Sequence, residues 1–467
     1  MIKFGTGGFR GVIGDNWTKA NVQKIGFAFK HLVRESLKNV GKKVSIIVGY
    51  DNRFLGPQSA RWFCEAVTCE QINVTIYSMS VPTPIIAFKT VEEYDYGIMF
   101  TASHNPYYYN GIKVMLKGGK DADDEFFGKL SKHLEVKPQY STVEVNSTND
   151  ISDYVEKIIS LLNVEKIKKS NMKVLFNSMH GSGTQIVETI FERLGIKYDT
   201  MCGEPDAWFG GMTPAPYKYN LKTQSKRVIK DKFSFGFALD GDGDRVAFID
   251  ADGKFYDCNY LLAVFYHYFI EYKKMKGGVV KNFLSSNLTA KLCKKYGNSV
   301  YETRVGFKFL GAELAKTDAL MAGEAGGIAF KEVSLSKDGI LAAFLMIDVI
   351  VGMKKNIGKV VEEIIDLVGF PTHCMEYSYT YDEKIRSAVE KRILSEGADL
   401  KFDSKVARIE RHVDGVKIHF VGDYWCAARM SGTEPVVRFT TEMPSEKEAE
   451  AVIKRLEQIY DLKQRQG

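Results

Sequence analysis

Three carboxylates alternate with glycines in Asp240-Gly-Asp-Gly-Asp-Arg245, directly after an apolar run. Glycine lets the backbone turn tightly, so the three acids can converge on one point. Carboxylates brought together repel, and a hard divalent cation with oxygen ligands, such as Mg²⁺, relieves the repulsion. The bland alternative is a solvated acidic turn. An EF-hand is excluded, because it needs Gly at the sixth position and Glu at the twelfth, where this chain has Arg245 and Ala251. Arg245 beside the acids points to an anion held next to the metal.

Three further segments carry chemistry. Thr101-Ala-Ser-His-Asn-Pro106 follows the apolar run Gly97-Ile-Met-Phe100. Open α/β sheets bind ligands at the carboxyl ends of their strands. Ser103 and His104 offer a hydroxyl and a titratable group there; a polar turn closed by Asn-Pro is the alternative. It is not a GxSxG nucleophile elbow, since Thr101 and Asn105 hold the glycine positions. Arg429-Met-Ser-Gly-Thr-Glu-Pro435, followed by Arg438, combines hydroxyls, a glycine turn and two guanidinium groups, which suits a phosphate cradle. No Gly-Lys-Ser/Thr ends it, so it is not a Walker A loop. A β-turn with surface arginines is its alternative. In Gly323-Glu-Ala-Gly-Gly327 one acid among glycines could grip sugar hydroxyls, or simply belong to a loop. Neither Gly5-Thr-Gly-Gly-Phe-Arg-Gly11 nor His180-Gly-Ser-Gly183 fits GxGxxG, so dinucleotide binding has little support.

The elements that must position these residues alternate. Thr18 is placed to cap a helix whose face carries Val22, Ile25, Phe29, Leu32 and Val33. Strands are predicted over 44–51, 74–79 and 96–101, with a helix over 57–69 opened by Pro57. The rhythm returns with a strand at Val174, a helix to about Leu194, and strands over 233–239 and 246–250. A helix over 260–273, a strand over 279–283 and a helix after Gly339 follow. This pattern means βαβ units and mostly parallel or mixed sheets. From about His373 the pattern changes to alternating strands, such as 416–420 and 436–439. A helix closes the chain, opened by Ser445 and Glu448 at capping-box spacing. Boundaries are expected near residues 145, 250 and 370.

Composition sets the frame. A chain of 467 residues allows roughly three or four domains. Hydrophobic residues at 45% and charged residues at 26% are globular values, which removes disorder and low complexity from consideration. A formal charge of +6 on this length gives no case for nucleic acid or a membrane surface. Seven cysteines without a CxxC pair cannot all pair within the chain, so reduced thiols and a cytoplasmic location are expected. The opening residues show no apolar signal region, and the apolar stretch from Ile340 to Met353 is too short for a span of about 20 residues.

In this order, the FGTxGxRG-like start, TASHNP, DGDGDR, the GE loop and RMSGTEP resemble the α-D-phosphohexomutase superfamily, across nearly the whole chain. The resemblance implies an α/β fold of four domains around a central cleft. Three related α/β domains with mixed sheets (1–145, 146–250, 251–370) would precede a smaller C-terminal α+β domain (371–467). It implies a phosphoserine at Ser103, with one Mg²⁺ per chain held by Ser103, Asp240, Asp242 and Asp244. Arg245 would help hold the reacting groups. Arg10, His104 and Lys113 match positions linked to acid–base or phosphate roles. Glu324 and, more loosely, Lys308 would face the sugar. Arg429, Ser431, Gly432, Thr433 and Arg438 would hold the substrate's non-reacting phosphate. The implied reaction moves a phosphoryl group between the 1- and 6-positions of a hexose phosphate, with a hexose 1,6-bisphosphate as intermediate and activator. The implied partners are small hexose phosphates, and the implied assembly is a monomer or homodimer.

One segment departs from the family pattern, in which GE is followed by a variable residue and Ser-Gly. Here Ala325-Gly326-Gly327 follows Glu324, without the serine and one residue shorter. The runs Val305-Gly-Phe-Lys308 and Lys337-Asp-Gly-Ile340 most resemble the phosphoglucomutase/phosphomannomutase members, and that resemblance ranks glucose phosphate first, mannose phosphate next and glucosamine phosphate third. A non-catalytic sugar-phosphate sensor is the competing class, and a serine hydrolase lacks both elbow and triad.

Overall fold

A computed structural model describes residues 2–5, 7–37, 43–140, 144–382, 384, 386–395, 401–412, 415–430, 436–462 and 465–466. The described residues form four sheets, and the first three share one strand order. In the first, Ile72–Tyr77, Val44–Tyr50 and Tyr96–Phe100 run parallel, with Tyr109–Leu116 antiparallel beside the last. In the second, Lys197–Met201, Lys173–Asn177, Phe235–Leu239 and Val246–Asp250 repeat that arrangement. In the third, Val300–Thr303, Val279–Asn282, Met321–Glu324 and Gly327–Phe330 repeat it again. Phe9–Val12, Lys120–Asp121 and Asn146–Thr148 extend the first sheet, and Phe255–Tyr256 the second. The fourth sheet is antiparallel throughout, from Val406–His412 through Gly415–Phe420, Trp425–Met430, Val436–Met443 and His373–Thr380 to Arg465–Gln466.

This repeat is structural and invisible to a search for identical residues. It puts three of the chemical segments at one topological place. Thr101–Asn105, Asp240–Arg245 and Ala325–Gly326 each join a parallel strand to its antiparallel neighbour. Each therefore lies at a strand's carboxyl end, where the alternation of strand and helix leaves a crevice.

The predicted elements form with small shifts at their ends. The first helix is Lys19–Leu37, where Thr18 Oγ1 accepts from Asn21 N–H at 3.3 Å. The helix predicted over 260–273 is Cys258–His267 continued by a π-helical turn, Tyr268–Tyr272. The strand Tyr109–Leu116 was not anticipated as an element, because it is buried along most of its length and so lacks alternation. The apolar stretch after Gly339 is a buried helix, Gly339–Met353, apolar all round because neighbours surround it. No helix among the described residues is long and apolar enough to cross a membrane.

One hydrophobic cluster runs through the first three sheets, joining Ile47 and Met99 to Val174 and Phe237 and to Val279 and Met321. The C-terminal sheet packs its own core, including Phe439, Ile453 and Tyr460, beneath the helix Glu446–Tyr460. Ser445 caps that helix, accepting from Glu448 N–H at 3.3 Å.

Candidate active site

Ser103 sits one turn beyond the strand Tyr96–Phe100, in the left-handed region at φ 52°. It is buried, its N–H donates to Thr101 Oγ1 at 2.7 Å, and its hydroxyl donates to Asp240 Oδ2 at 2.8 Å. A contact across 137 residues thus joins the serine loop to the acidic loop. His104 Nδ1 lies 3.5 Å from Ser103 Oγ. Burial, then the positive charges of Arg245, Arg10, Arg438 and Lys337, push His104 well below its ordinary pKa. Its imidazole is neutral at neutral pH, and the same cations oppose its protonation unless a bound anion offsets them. Arg10, on Phe9–Val12, donates to Asn105 Oδ1 of the same loop.

Asp240, Asp242 and Asp244 are all buried, and each offers an oxygen within 4.8 Å of the other two. The loop's shape depends on close packing of the second sheet's first turn. Ser182 N–H donates to Gly241 O at 3.0 Å, and a Cβ on Gly181 would lie 2.9 Å from the carbonyl oxygens of Asp240 and Gly241. The His180-Gly-Ser-Gly183 segment therefore buttresses the acidic loop, and only glycine fits at position 181. Lys113, on Tyr109–Leu116, reaches Asp242 Oδ2 and Asp244 Oδ2 at 2.6 Å each. Burial works against its charge, but Asp242, Asp244 and Asp240 outweigh burial and hold the ammonium well above its ordinary pKa. Burial likewise works against the Asp242 carboxylate, and Lys113 with the Thr83 hydroxyl outweighs it, holding Asp242 below the usual range. Asp240 is pushed up by burial and by its two acidic neighbours.

The triad fits a divalent cation. Asp242 Oδ1 is buried and accepts no hydrogen bond. A buried carboxylate oxygen left without a donor is costly unless something binds it. An all-oxygen donor set favours Mg²⁺ over softer metals.

Arg245 stands beside the triad, its Nε 3.8 Å from Asp240 Oδ2 and 3.9 Å from Asp244 Oδ1. Glu324 ends Met321–Glu324 and accepts from Asn282 Nδ2 at 3.0 Å. Its loop is a two-residue hairpin turn, Glu324 pairing with Gly327. A Cβ on Gly326 would lie 3.6 Å from the Arg245 guanidinium, so the sugar loop and the acidic loop adjoin. Lys308, on Phe307–Lys316, is ion-paired at 2.5 Å to Asp124 of the first domain. Arg429 and Arg438 are direct cross-strand partners in the C-terminal sheet. Ser431, Gly432 and Thr433 lie outside the described residues.

Three contributors escaped the sequence reading. Thr83 donates its hydroxyl to Asp242 Oδ2 and its N–H to Asp242 O at 2.8 Å. Lys337 Nζ lies 3.2 Å from Asp244 Oδ1. Arg53 is buried beneath the serine loop. The only advance signal was position: Lys337 opens the Lys-Asp-Gly-Ile run, and Arg53 follows a buried strand by three residues.

Family models for the phosphoglucomutase/phosphomannomutase α/β/α domains I, II and III match residues 1–141, 152–253 and 257–368, and that for the C-terminal domain matches 385–459. The chain belongs to this family, within the α-D-phosphohexomutase superfamily. It is 30% identical to a phosphoglucomutase/phosphomannomutase from Thermococcus kodakarensis, covering 96% of this chain and 95% of the relative. It is equally similar, at 30%, to a phosphoglucosamine mutase from Methanococcus maripaludis, over 97% of each chain. A crystal structure from Thermus thermophilus, put forward as a phosphomannomutase, superposes with a TM-score of 0.86 at 25% identity, covering 98% of this chain and 99% of that one. For the phosphohexomutase fold, the four-sheet arrangement above is the expected architecture.

Proposed function

We propose that this chain is a phosphohexose mutase. It transfers a phosphoryl group reversibly between the 1- and 6-positions of a hexose phosphate through Ser103. The observation that carries this reading is the buried Ser103 hydroxyl, 2.8 Å from Asp240 of a buried carboxylate triad. That hydroxyl donates to Asp240 at 2.8 Å while His104 Nδ1 stands off at 3.5 Å, which is not the arrangement of a hydrolase triad.

In one direction, phosphorylated Ser103 gives its phosphoryl group to O6 of a hexose 1-phosphate. The P–Oγ bond breaks and the P–O6 bond forms, while His104 takes the O6 proton and returns it to Ser103 Oγ, 3.5 Å away. The hexose 1,6-bisphosphate turns within the cleft. Ser103 Oγ then gives that proton to His104 and bonds to the 1-phosphoryl group, the P–O1 bond breaks, and O1 takes the proton from His104. Lys113, held charged by its two carboxylates, stabilises the loop rather than acting as the base. Such transfers gain most from positioning and charge stabilisation, which Arg245, Arg10 and Lys337 supply. One Mg²⁺, held by Asp240, Asp242 and Asp244 with the Ser103 oxygen, would neutralise charge on the transferred group. Arg429 and Arg438, with Ser431, Gly432 and Thr433, hold the phosphate that does not react. Glu324 takes sugar hydroxyls, and Lys308 is left to its pair with Asp124.

Glucose phosphate is the first sugar, with mannose phosphate beside it. The glucosamine reading has specific support as well: the amino-sugar relative is as similar as the glucose/mannose one. Incubation with glucose 1,6-bisphosphate and Mg²⁺, followed by peptide mass mapping, tests the central step. A single phosphoryl group on Ser103 that is lost again to hexose phosphate is expected. A protein that never carries phosphate on Ser103 would refute the reading.

A further inference from the structure

Arg53 is tied to the serine loop through the backbone carbonyls of Ser103, Asn105, Pro106 and Tyr109. It lies just past the strand Val44–Tyr50, which is the parallel neighbour of the strand leading to Ser103. Its Nη2 donates to the carbonyl oxygens of Ser103 and of Asn105, the latter at 2.6 Å. Its Nη1 donates to Pro106 O at 2.8 Å and Tyr109 O at 3.1 Å. The guanidinium lies 4.9 Å from the centre of the Phe209 ring, in the second domain. Asp51 anchors it: Asp51 Oδ2 is 3.2 Å from Arg53 Nε and also accepts from the Thr101 hydroxyl at 2.5 Å. Thr101 in turn receives the Ser103 N–H.

One side chain therefore binds four carbonyl groups of a loop whose reactive residue has φ 52°. Non-glycine residues hold that conformation only where their surroundings over-determine it. A planar guanidinium with five fixed donors does so, and a lysine with one nitrogen cannot. We propose that Arg53, fixed by Asp51, is the positioning residue that holds Ser103 in its left-handed conformation, aimed at the acidic loop.

This inference rests on the mutase reading, but its first test does not. Arg53→Lys is compared with the parent by hydrogen exchange over 101–109, without substrate. Faster exchange confined to that loop is expected; unchanged exchange would overturn the proposal. The second measurement is the rate of phosphoryl transfer from glucose 1,6-bisphosphate to Ser103, beside the affinity for glucose 1-phosphate. The transfer rate should fall about 100-fold, with affinity changed less than about threefold. A fall in affinity matching the fall in rate would mean a merely structural arginine, and would also overturn it. If the parent itself never labels, the mutase reading fails while the exchange result still judges the clamp. Asp51→Asn keeps a hydrogen-bonding group beside Thr101 and serves if the lysine variant does not fold. It should show the same local exchange and the same split between rate and affinity.

Discussion

Arg429 and Arg438 face each other directly across two antiparallel strands. Like charges in that position destabilise a sheet, so the pair is a cost that an anion between them removes. The Arg438 Nε is buried and has no hydrogen-bond partner, and its charge reaches His104. The charge of Arg438 thus reaches the serine loop, and Arg429 and Arg438 are the proposed holders of the non-reacting phosphate. Arg438→Ala should weaken glucose 1-phosphate binding by about 1.5–3 kcal/mol, the worth of a charge-assisted hydrogen bond. The same change should leave thermal stability equal or slightly higher. Calorimetric titration beside a melting curve separates the two effects, and unchanged affinity would remove Arg438 from the phosphate site.

Elements place these residues through their ends. Asp338 caps the core helix Gly339–Met353, accepting from Leu341 N–H and from the Tyr154 hydroxyl at 2.8 Å each. The residue before the cap, Lys337, thereby reaches Asp244. Burial pushes the Asp338 carboxyl from 3.8 up to about 6, against the pull of those two hydrogen bonds. Between these values the folded chain keeps a proton that the unfolded chain has lost, so stability falls as pH rises through the window and is constant above it. Asp338→Asn keeps the cap and removes the titration. Its stability relative to the parent should improve between pH 4 and 6, by up to about 3 kcal/mol. Denaturant unfolding across that range checks this, and a difference independent of pH would contradict it. Much of this scale was legible in advance. Strands ending in Phe100 and Leu239 announce themselves by apolar runs broken by polar loops, and the loops carry their residues at fixed spacing. Arg53, Thr83 and Lys337 are different. Each is a single residue whose partner lies 50 or more positions away, and no spacing records such a meeting. The strand Tyr109–Leu116 hid for a related reason: a strand covered on both faces carries no period of two.

At the scale of the molecule, three α/β domains share one core, and the fourth joins them through stacked rings, Phe370 on Tyr424 and Phe283 on His412, and through polar contacts. Glu442, wholly buried on Val436–Met443, accepts from Asn287 N–H, Thr372 Oγ1 and Trp425 Nε1 at 2.8 Å each, and from the Ser286 hydroxyl. Ser286 and Asn287 open the helix Asn287–Lys295 of the third domain, whose N-terminus favours the negative charge. Glu442→Ala strands those donors and should cost ~3 kcal/mol, mostly in docking of the last domain. Calorimetry should then show a separate early transition, and the KM for hexose phosphate should rise. One unchanged transition with an unchanged KM would show that the contact holds nothing in place. The whole account is tested most directly by a phosphorus NMR time course. Protein, Mg²⁺ and a trace of glucose 1,6-bisphosphate are mixed in parallel with glucose, mannose or glucosamine 1-phosphate. The prediction is conversion of at least one sugar to its 6-phosphate without release of inorganic phosphate, fastest for glucose and absent in Ser103→Ala. No conversion of any of the three by protein phosphorylated on Ser103 would contradict it and favour a sugar-phosphate sensor.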